Sequence, residues 1–136
     1  MRAGTLALVA LLGSAGGQPV ARGEPAPFSS LRPAETLCGL TAASAGDFEA
    51  QVARLPGIEH APDEGGYGVY FDNTNMRIWN FTTAQIPGHP AAICRTIVPK
   101  GSGSEIRTEI SCGGDKADCA AIAESFDALH KRIFGQ

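Results

Sequence analysis

Histidine and acidic side chains are the residues of this chain that could do acid–base or metal chemistry. His60 is followed by Asp63 and Glu64, a combination that can bind a metal ion or relay a proton, and His89 stands alone in a Gly-His-Pro sequence. Gly and Pro surround both positions, which is unfavourable because catalytic groups need rigid presentation. The third histidine, His130, flanks the apolar stripe of a predicted helix. We expect no metal and no cofactor, and keep a small exported hydrolase or metal-dependent enzyme as an alternative function.

The other common catalytic patterns are missing from the sequence. The Gly101-Ser102-Gly103 segment lacks the strand-to-helix context of a nucleophile elbow, and it also lacks the lysine and spacing of a phosphate-binding loop. Glu105 and Glu109 fall on the outward side of one predicted strand, which does not form the cleft that a pair of glycosidase carboxylates requires. The sequence therefore favours a non-enzymatic protein.

Cysteine spacing indicates disulfides rather than a redox or zinc site. The chain has four cysteines, at positions 38, 94, 112 and 119, and no Cys-x-x-Cys pair. An even number of cysteines in an exported chain predicts two disulfides, with three possible pairings. We favour Cys112–Cys119, because it joins the end of a predicted strand to the helix that folds back over it. That choice leaves Cys38–Cys94 as the second disulfide.

The N-terminus predicts export to the periplasm or the cell exterior. Residues 1–17 have the positive end at Arg2, the short apolar run Leu6–Leu12 and the small residues of a signal peptide. The apolar run is too short to span a bilayer, so no transmembrane segment is expected after signal cleavage. A proline-rich linker is predicted over residues 18–35, followed by a single domain over residues 36–136.

Charge distribution excludes a class of partners. The chain has 11 basic and 14 acidic residues and a formal net charge of −3, and its basic residues are scattered rather than clustered. Binding to nucleic acid depends on a basic patch that contacts phosphates. We therefore expect no nucleic-acid partner.

An aromatic β-hairpin is predicted over Tyr67–Thr83, which includes the single Trp and both Tyr residues of the chain. With Asn73 and Thr74 at the turn, Val69 would lie opposite Ile78 and Phe71 opposite Met76. Alternation of side chains then gives one apolar face that includes these residues and Tyr67. The second face would carry Tyr70, Arg77, Trp79 and Phe81.

Periodicity predicts the remaining elements. Ser44 can cap a short helix with an apolar stripe at Phe48, Val52 and Leu55, and Glu59–Gly66 is predicted to be a polar loop. Strands follow over Ala91–Val98 and Glu105–Cys112. A second helix is predicted between Asp115 and Gly135, and its apolar stripe comprises Cys119, Ile122, Phe126, Leu129 and Ile133. The order αββββα predicts an α+β domain with a four-stranded antiparallel meander sheet between an N-terminal and a C-terminal helix.

These elements lead to the functional expectation. If both helices cover the Val69/Ile78 face, then Tyr70, Arg77, Trp79 and Phe81 face solvent, and His89 can approach them. Trp, Tyr and Arg are enriched at binding hot spots. We expect an exported binding protein whose partner is a protein, an envelope component or a small ligand, and a homodimer through this face is possible. A structural accessory subunit is a further alternative.

Overall fold

A computed structural model describes residues 32–135; the predicted signal peptide and residues 18–31 of the predicted linker lie outside the described residues. The elements in chain order are β1 (Glu35–Leu37), β2 (Leu40–Ala42), α1 (Ala45–Val52), β3 (Ile58–Glu64), β4 (Tyr67–Asp72), β5 (Arg77–Thr82), β6 (Ala91–Lys100), β7 (Gly103–Cys112) and α2 (Lys116–Phe134). In residues 32–135, neither helix is both long and apolar enough to cross a bilayer.

The strands form two antiparallel sheets. Strands β3 to β7 make a five-stranded meander in sequence order, and β1 pairs with β2 in a separate hairpin. The α+β class with two helices and two disulfides is therefore confirmed. The four-stranded sheet and the order αββββα are wrong, because β1, β2 and β3 were not predicted as strands.

Strand β3 was predicted to be a loop because its composition is polar. It is the edge strand of the five-stranded sheet, and most of its side chains are exposed. Its pairing with β4 shifts register between Ala61 and Glu64, where Pro62 and Asp63 lie. Edge strands tolerate proline and charge because one side of the backbone needs no partner, and such residues also discourage strand addition. A polar sequence at this position is typical of a sheet edge.

The β4–β5 hairpin has a longer turn than predicted. Phe71 pairs with Ile78 and Tyr70 pairs with Trp79, which shifts the predicted register by two residues. The Asp72 carboxylate accepts hydrogen bonds from the backbone and side-chain amides of Asn75, and Met76 has a left-handed φ of 55°. These local bonds stabilise a four-residue loop that a two-residue turn would not allow. Because the shift is even, the strand residues keep their predicted faces. Met76 is the exception, since it lies in the turn and is exposed instead of facing Phe71.

The five-stranded sheet is covered on both faces, and each face has its own core. On one face α1 and the β1–β2 hairpin pack over Tyr70, Trp79 and Phe81. On the other face Ile122 and Phe126 of α2 pack over a second set of strand residues. The expectation that both helices cover the same face is wrong.

Both helices begin at the predicted residues. Ser44 caps α1 by accepting a hydrogen bond from the backbone N–H of Asp47. Helix α2 ends at Gly135, which adopts the left-handed conformation that glycine favours at this position. The predicted stripe of α2 is buried at Ile122 and Phe126, but Ile133 is 60% exposed. The C-terminal turn of α2 therefore extends beyond the surface that the sheet can cover.

Each disulfide ties one covering layer to the sheet. Cys38 of the β1–β2 turn is bonded to Cys94 of β6, and Cys112 at the end of β7 is bonded to Cys119 of α2. The favoured pairing is thus the one observed. Chain-entropy estimates give about 4 kcal/mol for the long loop and about 2.5 kcal/mol for the short one.

The start of α2 lies directly against the loop that precedes β6. A Cβ atom added to Gly114 would lie 2.5 Å from the carbonyl oxygen of Gly88, and one added to Gly88 would lie 2.8 Å from the side chain of Ile122. Backbone atoms cannot move aside as a flexible side chain can. Glycine at position 114 therefore allows the start of α2 to lie against this loop.

We predict that Gly114→Ala lowers the free energy of unfolding by about 1–3 kcal/mol, because the new methyl group forces two backbone segments apart. Gly46→Ala is the matched control, since it lies in α1 with open space around the added atom. The control should be neutral or stabilising by up to about 1 kcal/mol. Urea unfolding of both variants measures the difference, and equal stabilities would contradict this account of the contact.

Candidate functional site

The hairpin face that was predicted to be a binding surface is part of the core. Trp79 has no exposed surface, and Phe81 and Tyr70 are buried beside it. The Trp79 ring stacks on Phe81, with ring centroids 6.0 Å apart. The ring centroid of Phe48 in α1 lies 6.4 Å from that of Trp79. The expectation that this face is open to solvent is wrong, because α1 and the β1–β2 hairpin cover it. These aromatic side chains cannot contact a partner while the domain is closed.

Two polar groups on this buried face have no hydrogen-bond partner within the described residues. They are the indole N–H of Trp79 and Nε of Arg77. Arg77 is half-buried at the start of β5. An unsatisfied buried donor costs about 1–3 kcal/mol. The aromatic packing around Trp79 must offset that cost.

The predicted acid–base cluster is divided between the two faces of the sheet. His60 is exposed and stacks on Tyr70, with ring centroids 4.2 Å apart. Burial raises the pKa of the Tyr70 hydroxyl, and the carboxylates of Glu49 and Asp63 raise it further. Glu64 contributes instead to a groove on the α2 face. Asp63 thus stays on the His60 side, near Tyr70, and only Glu64 is separated from the predicted cluster.

His89 occupies a different loop and has a structural partner. Its Nδ1 lies 2.8 Å from the hydroxyl oxygen of Thr82. That hydroxyl also accepts a hydrogen bond from the backbone N–H of Ala91 and donates one to the carbonyl oxygen of the same residue. Because Thr82 is buried and its hydroxyl is already used to hold the start of β6, the Thr82–His89 pair is not arranged as a nucleophile and base.

A cluster of metal-ligand residue types lies beside the long disulfide. The sulfur atoms of Cys38 and Cys94 and a carboxylate oxygen of Glu109 lie within 4.8 Å of one another. Both sulfur atoms are bonded to each other, so they are not thiolates that could bind a metal. Glu109 accepts a hydrogen bond of 3.2 Å from the backbone N–H of Cys38 instead. This cluster helps to hold the β1–β2 hairpin against β7.

One cavity of the described residues is a groove between α2 and the adjacent strands, which we call the α2 groove. Its volume is about 270 Å³. Its lining residues are Glu64, Tyr67, Val69, Phe71, Ile78, Asn80, Arg95, Ser125, Phe126, Leu129 and Arg132. The walls are mostly aliphatic and aromatic, and a few polar groups converge at one place. Small-ligand sites usually have this composition.

The width of the sheet explains why the groove exists. Adjacent strands lie about 4.8 Å apart, so the outer strands β3 and β7 are separated by about 19 Å. A helix with its side chains is about 10 Å wide. Helix α2 is tied to the β7 side by Cys112–Cys119. One helix anchored there leaves the β3–β5 side of this face only partly covered: Val69 is buried, but Phe71 and Ile78 are only half-buried.

Arg95 lies at the floor of the α2 groove. It is only 8% exposed, and its Nε donates a hydrogen bond of 3.0 Å to the side-chain oxygen of Asn80. Its guanidinium carbon lies 5.2 Å from the centroid of the Phe126 ring, which is within the range of a cation–π contact. Within residues 32–135, no carboxylate comes within 4.0 Å of the guanidinium. Arg95 is thus a buried cation without an ion-pair partner.

The electrostatic surroundings of Arg95 agree with this geometry. Burial lowers the pKa of Arg95 from its usual value, and the more distant carboxylate of Glu64 raises it in part. An arginine stays protonated in proteins despite such a shift. The charge is therefore present in the groove, and its desolvation is an energetic cost that the free protein bears.

His130 lies on α2 beside the same charge. Burial lowers the pKa of His130, the nearby Arg95 lowers it further, and Asp127 partly raises it. Its Nε2 is buried and has no hydrogen-bond partner among the described residues. His130 also contributes to a second cavity, between α2 and Ile106 of β7.

Comparison of the chain with protein-family models, with curated proteins and with solved structures finds no match. A functional site in this protein must therefore be argued from its own geometry.

Sequence reasoning missed Arg95, Asn80 and the groove that contains them. The signal was present in β6, where Arg95 follows Ala91-Ala92-Ile93-Cys94 and precedes Thr96-Ile97-Val98. A single charge within a strand of otherwise apolar residues indicates either a buried functional group or a buried ion pair. The open side of α2 was harder to predict, because the sequence predicted four strands in the sheet instead of five.

We predict that Trp79→Ala lowers the free energy of unfolding by about 3–5 kcal/mol, since it empties the centre of a closed core. Trp79→Phe should cost much less, because it keeps a ring in place and removes the unpaired indole N–H. Chemical unfolding with the disulfides intact measures both. A fully stable Trp79→Ala variant would show that this face is not a core.

We predict a specific dependence of stability on pH from His130. Because its folded-state pKa is lowered, the unfolded chain binds a proton more readily, and stability is lost as the pH falls through the unfolded value of about 6.5 toward the folded one. His130→Gln should therefore lose less stability than the wild type between pH 7.5 and pH 5. Asp127→Asn should lose more, because it removes the carboxylate that raises the His130 pKa. Identical pH profiles for all three proteins, measured by urea unfolding, would contradict this assignment.

Proposed function

We propose that this protein is an exported, disulfide-stabilised, non-enzymatic binding protein, and that its ligand site is the α2 groove. The observation that carries the proposal is an apolar groove whose floor holds a buried arginine without a carboxylate partner. A folded domain gains no stability from an uncompensated buried charge, so a role in binding accounts for a feature that packing does not.

Export is supported by two independent features. The first 17 residues have the composition of a signal peptide. The two disulfides fit an oxidising compartment such as the periplasm or the extracellular space. In such compartments a small domain of about 100 residues benefits from covalent ties, because its core alone gives limited stability.

The groove replaces the hairpin face as the proposed binding surface. The sequence predicts binding at Tyr70, Arg77, Trp79, Phe81 and His89, but the three aromatic side chains are buried. The opposite face of the same hairpin contributes Val69, Phe71 and Ile78 to the α2 groove. The hairpin is thus still central to the proposed site, through its other side.

The enzyme hypothesis has less structural support. Catalysis by acid and base requires two groups within hydrogen-bond reach of the substrate. His60 lies on the α1 side and Glu64 on the α2 side, while His89 is bonded to Thr82. The α2 groove itself combines apolar walls with a fixed cation, an arrangement suited to holding a molecule rather than transforming it.

The size of the groove suits a small ligand. Its volume is about 270 Å³, just below the range of about 300–1,000 Å³ found for small-molecule sites. We therefore propose a small ligand with one ring or a short branched chain.

The test is a titration followed by amide chemical shifts in the mature protein, with benzoate, benzamide and benzylamine as one-ring probes of different charge. We expect at least one probe to bind with a Kd on the order of 1 mM and to shift resonances along the groove. Leu129→Trp should abolish these shifts by filling the groove. Ala128→Trp, an exposed change one residue away on the same helix, should leave them intact.

Two results would overturn the proposal. One is the absence of a saturable shift with all three probes. The other is a set of shifts located away from the groove and unaffected by Leu129→Trp.

A further inference from the structure

We infer that the α2 groove selects small monoanions, in the first place carboxylates with an apolar body, and that Arg95 is the residue that recognises them. This inference rests on the proposed function and specifies its ligand class. It depends on three observations: the unused hydrogen-bond donors of Arg95, the contacts that hold its side chain in place, and the apolar surface around it.

The first observation is the incomplete use of the Arg95 guanidinium. Its five N–H donors form a planar fork, and the structure uses Nε to bond Asn80. Within the described part of the chain, the terminal nitrogens make no hydrogen bond to a side chain, and they form no salt bridge. The terminal nitrogens of a guanidinium are the pair that bind a carboxylate in the bidentate manner.

The second observation is that the fork is held in place before any ligand arrives. Asn80 accepts a hydrogen bond from Nε. The centroid of the Phe126 ring lies 5.2 Å from the guanidinium carbon. Asn80 is itself buried in β5. Because the side chain of Arg95 is already ordered, little further conformational entropy is lost on binding. The terminal nitrogens are not among the buried, unpartnered atoms of the described residues, so a ligand can reach them.

The third observation is the distribution of polar and apolar groups. Tyr67, Phe71, Ile78 and Leu129 line the groove around the cation. A ligand with one anionic group and a compact apolar body would satisfy both regions together. A fully polar anion would leave the apolar walls in contact with water, and a neutral apolar molecule would leave the arginine unpaired.

The groove has two other charged residues, and one of them, Glu64, would favour a cationic ligand over an anionic one. Glu64 and Arg132 are both exposed at the surface. Exposed charges contribute little, because water and salt screen them. The buried Arg95 should therefore determine the sign of the preferred ligand, although Glu64 would favour a cation.

The same three probes test the ligand class. Benzoate should bind about tenfold more tightly than its neutral isostere benzamide, and benzylamine should bind most weakly. In Arg95→Gln, which keeps a donor for Asn80 and removes the charge, benzoate should lose this advantage and bind as benzamide does. Arg95→Lys should keep only part of it, because a lysine ammonium cannot form the bidentate pair.

A second readout separates recognition from a structural role. If Arg95 serves only packing, Arg95→Gln should lower the melting temperature. If Arg95 is retained for binding, the variant should melt at the same or a higher temperature in the absence of ligand, since a desolvated charge has been removed. Added benzoate should then raise the melting temperature of the wild type and not that of the variant.

The outcomes distinguish this inference from the proposed function. Equal binding of benzoate and benzamide, tighter binding of benzylamine, or an anion preference that survives in Arg95→Gln would each overturn the assignment of ligand class while the groove remained a binding site. Failure of all three probes to bind would overturn the proposed function, and this inference with it.

Discussion

A sheet of five strands is wider than any single helix that packs on it, and most of this structure follows from that mismatch. The face toward α1 is closed by two elements together, the helix and the β1–β2 hairpin. The face toward α2 has one helix for a surface about twice its width. One face therefore has a sealed core that includes Trp79, and the other has a core with an open side.

On the open side, partly exposed apolar residues lie beside a polar pair. Phe71 and Ile78 are only half-buried, and between them and α2 lies a polar pair, Asn80 and Arg95. A purely apolar strip in this position would be a surface for aggregation. A charge set among apolar side chains interrupts such a strip, and under the proposed function it would also select the ligand. The energetic cost of that charge is met by the two tightly packed regions and the two disulfides.

The sequence allowed the class of the domain, both helices, both disulfides and the two faces of the β4–β5 hairpin to be predicted, because these depend on periodicity and on local caps. Strand β3 was missed because an edge strand has no apolar alternation to detect, and its Pro62 indicates a loop on local grounds. The hairpin register was off by two residues, because residue composition alone did not distinguish a two-residue turn from the four-residue loop that the bonds between Asp72 and Asn75 stabilise. Which face each helix covers could not be derived from either helix alone. It depends on the Cys38–Cys94 and Cys112–Cys119 ties acting on opposite sides of the sheet.

The short disulfide fixes α2 to the sheet at one end only. Its bond to Cys112 holds the helix near its first turn, at Cys119, while its last turn, around Ile133, has little contact with the sheet. The helix runs about 22 Å from Cys119 to Phe134 at 1.5 Å per residue. A tilt of about 10° at the fixed end would therefore move the free end by about 4 Å, comparable to the thickness of an aromatic ring. Any tilt of α2 about the disulfide would therefore change the width of the α2 groove more beside Arg132 than beside Ser125, because Arg132 lies farther from Cys119.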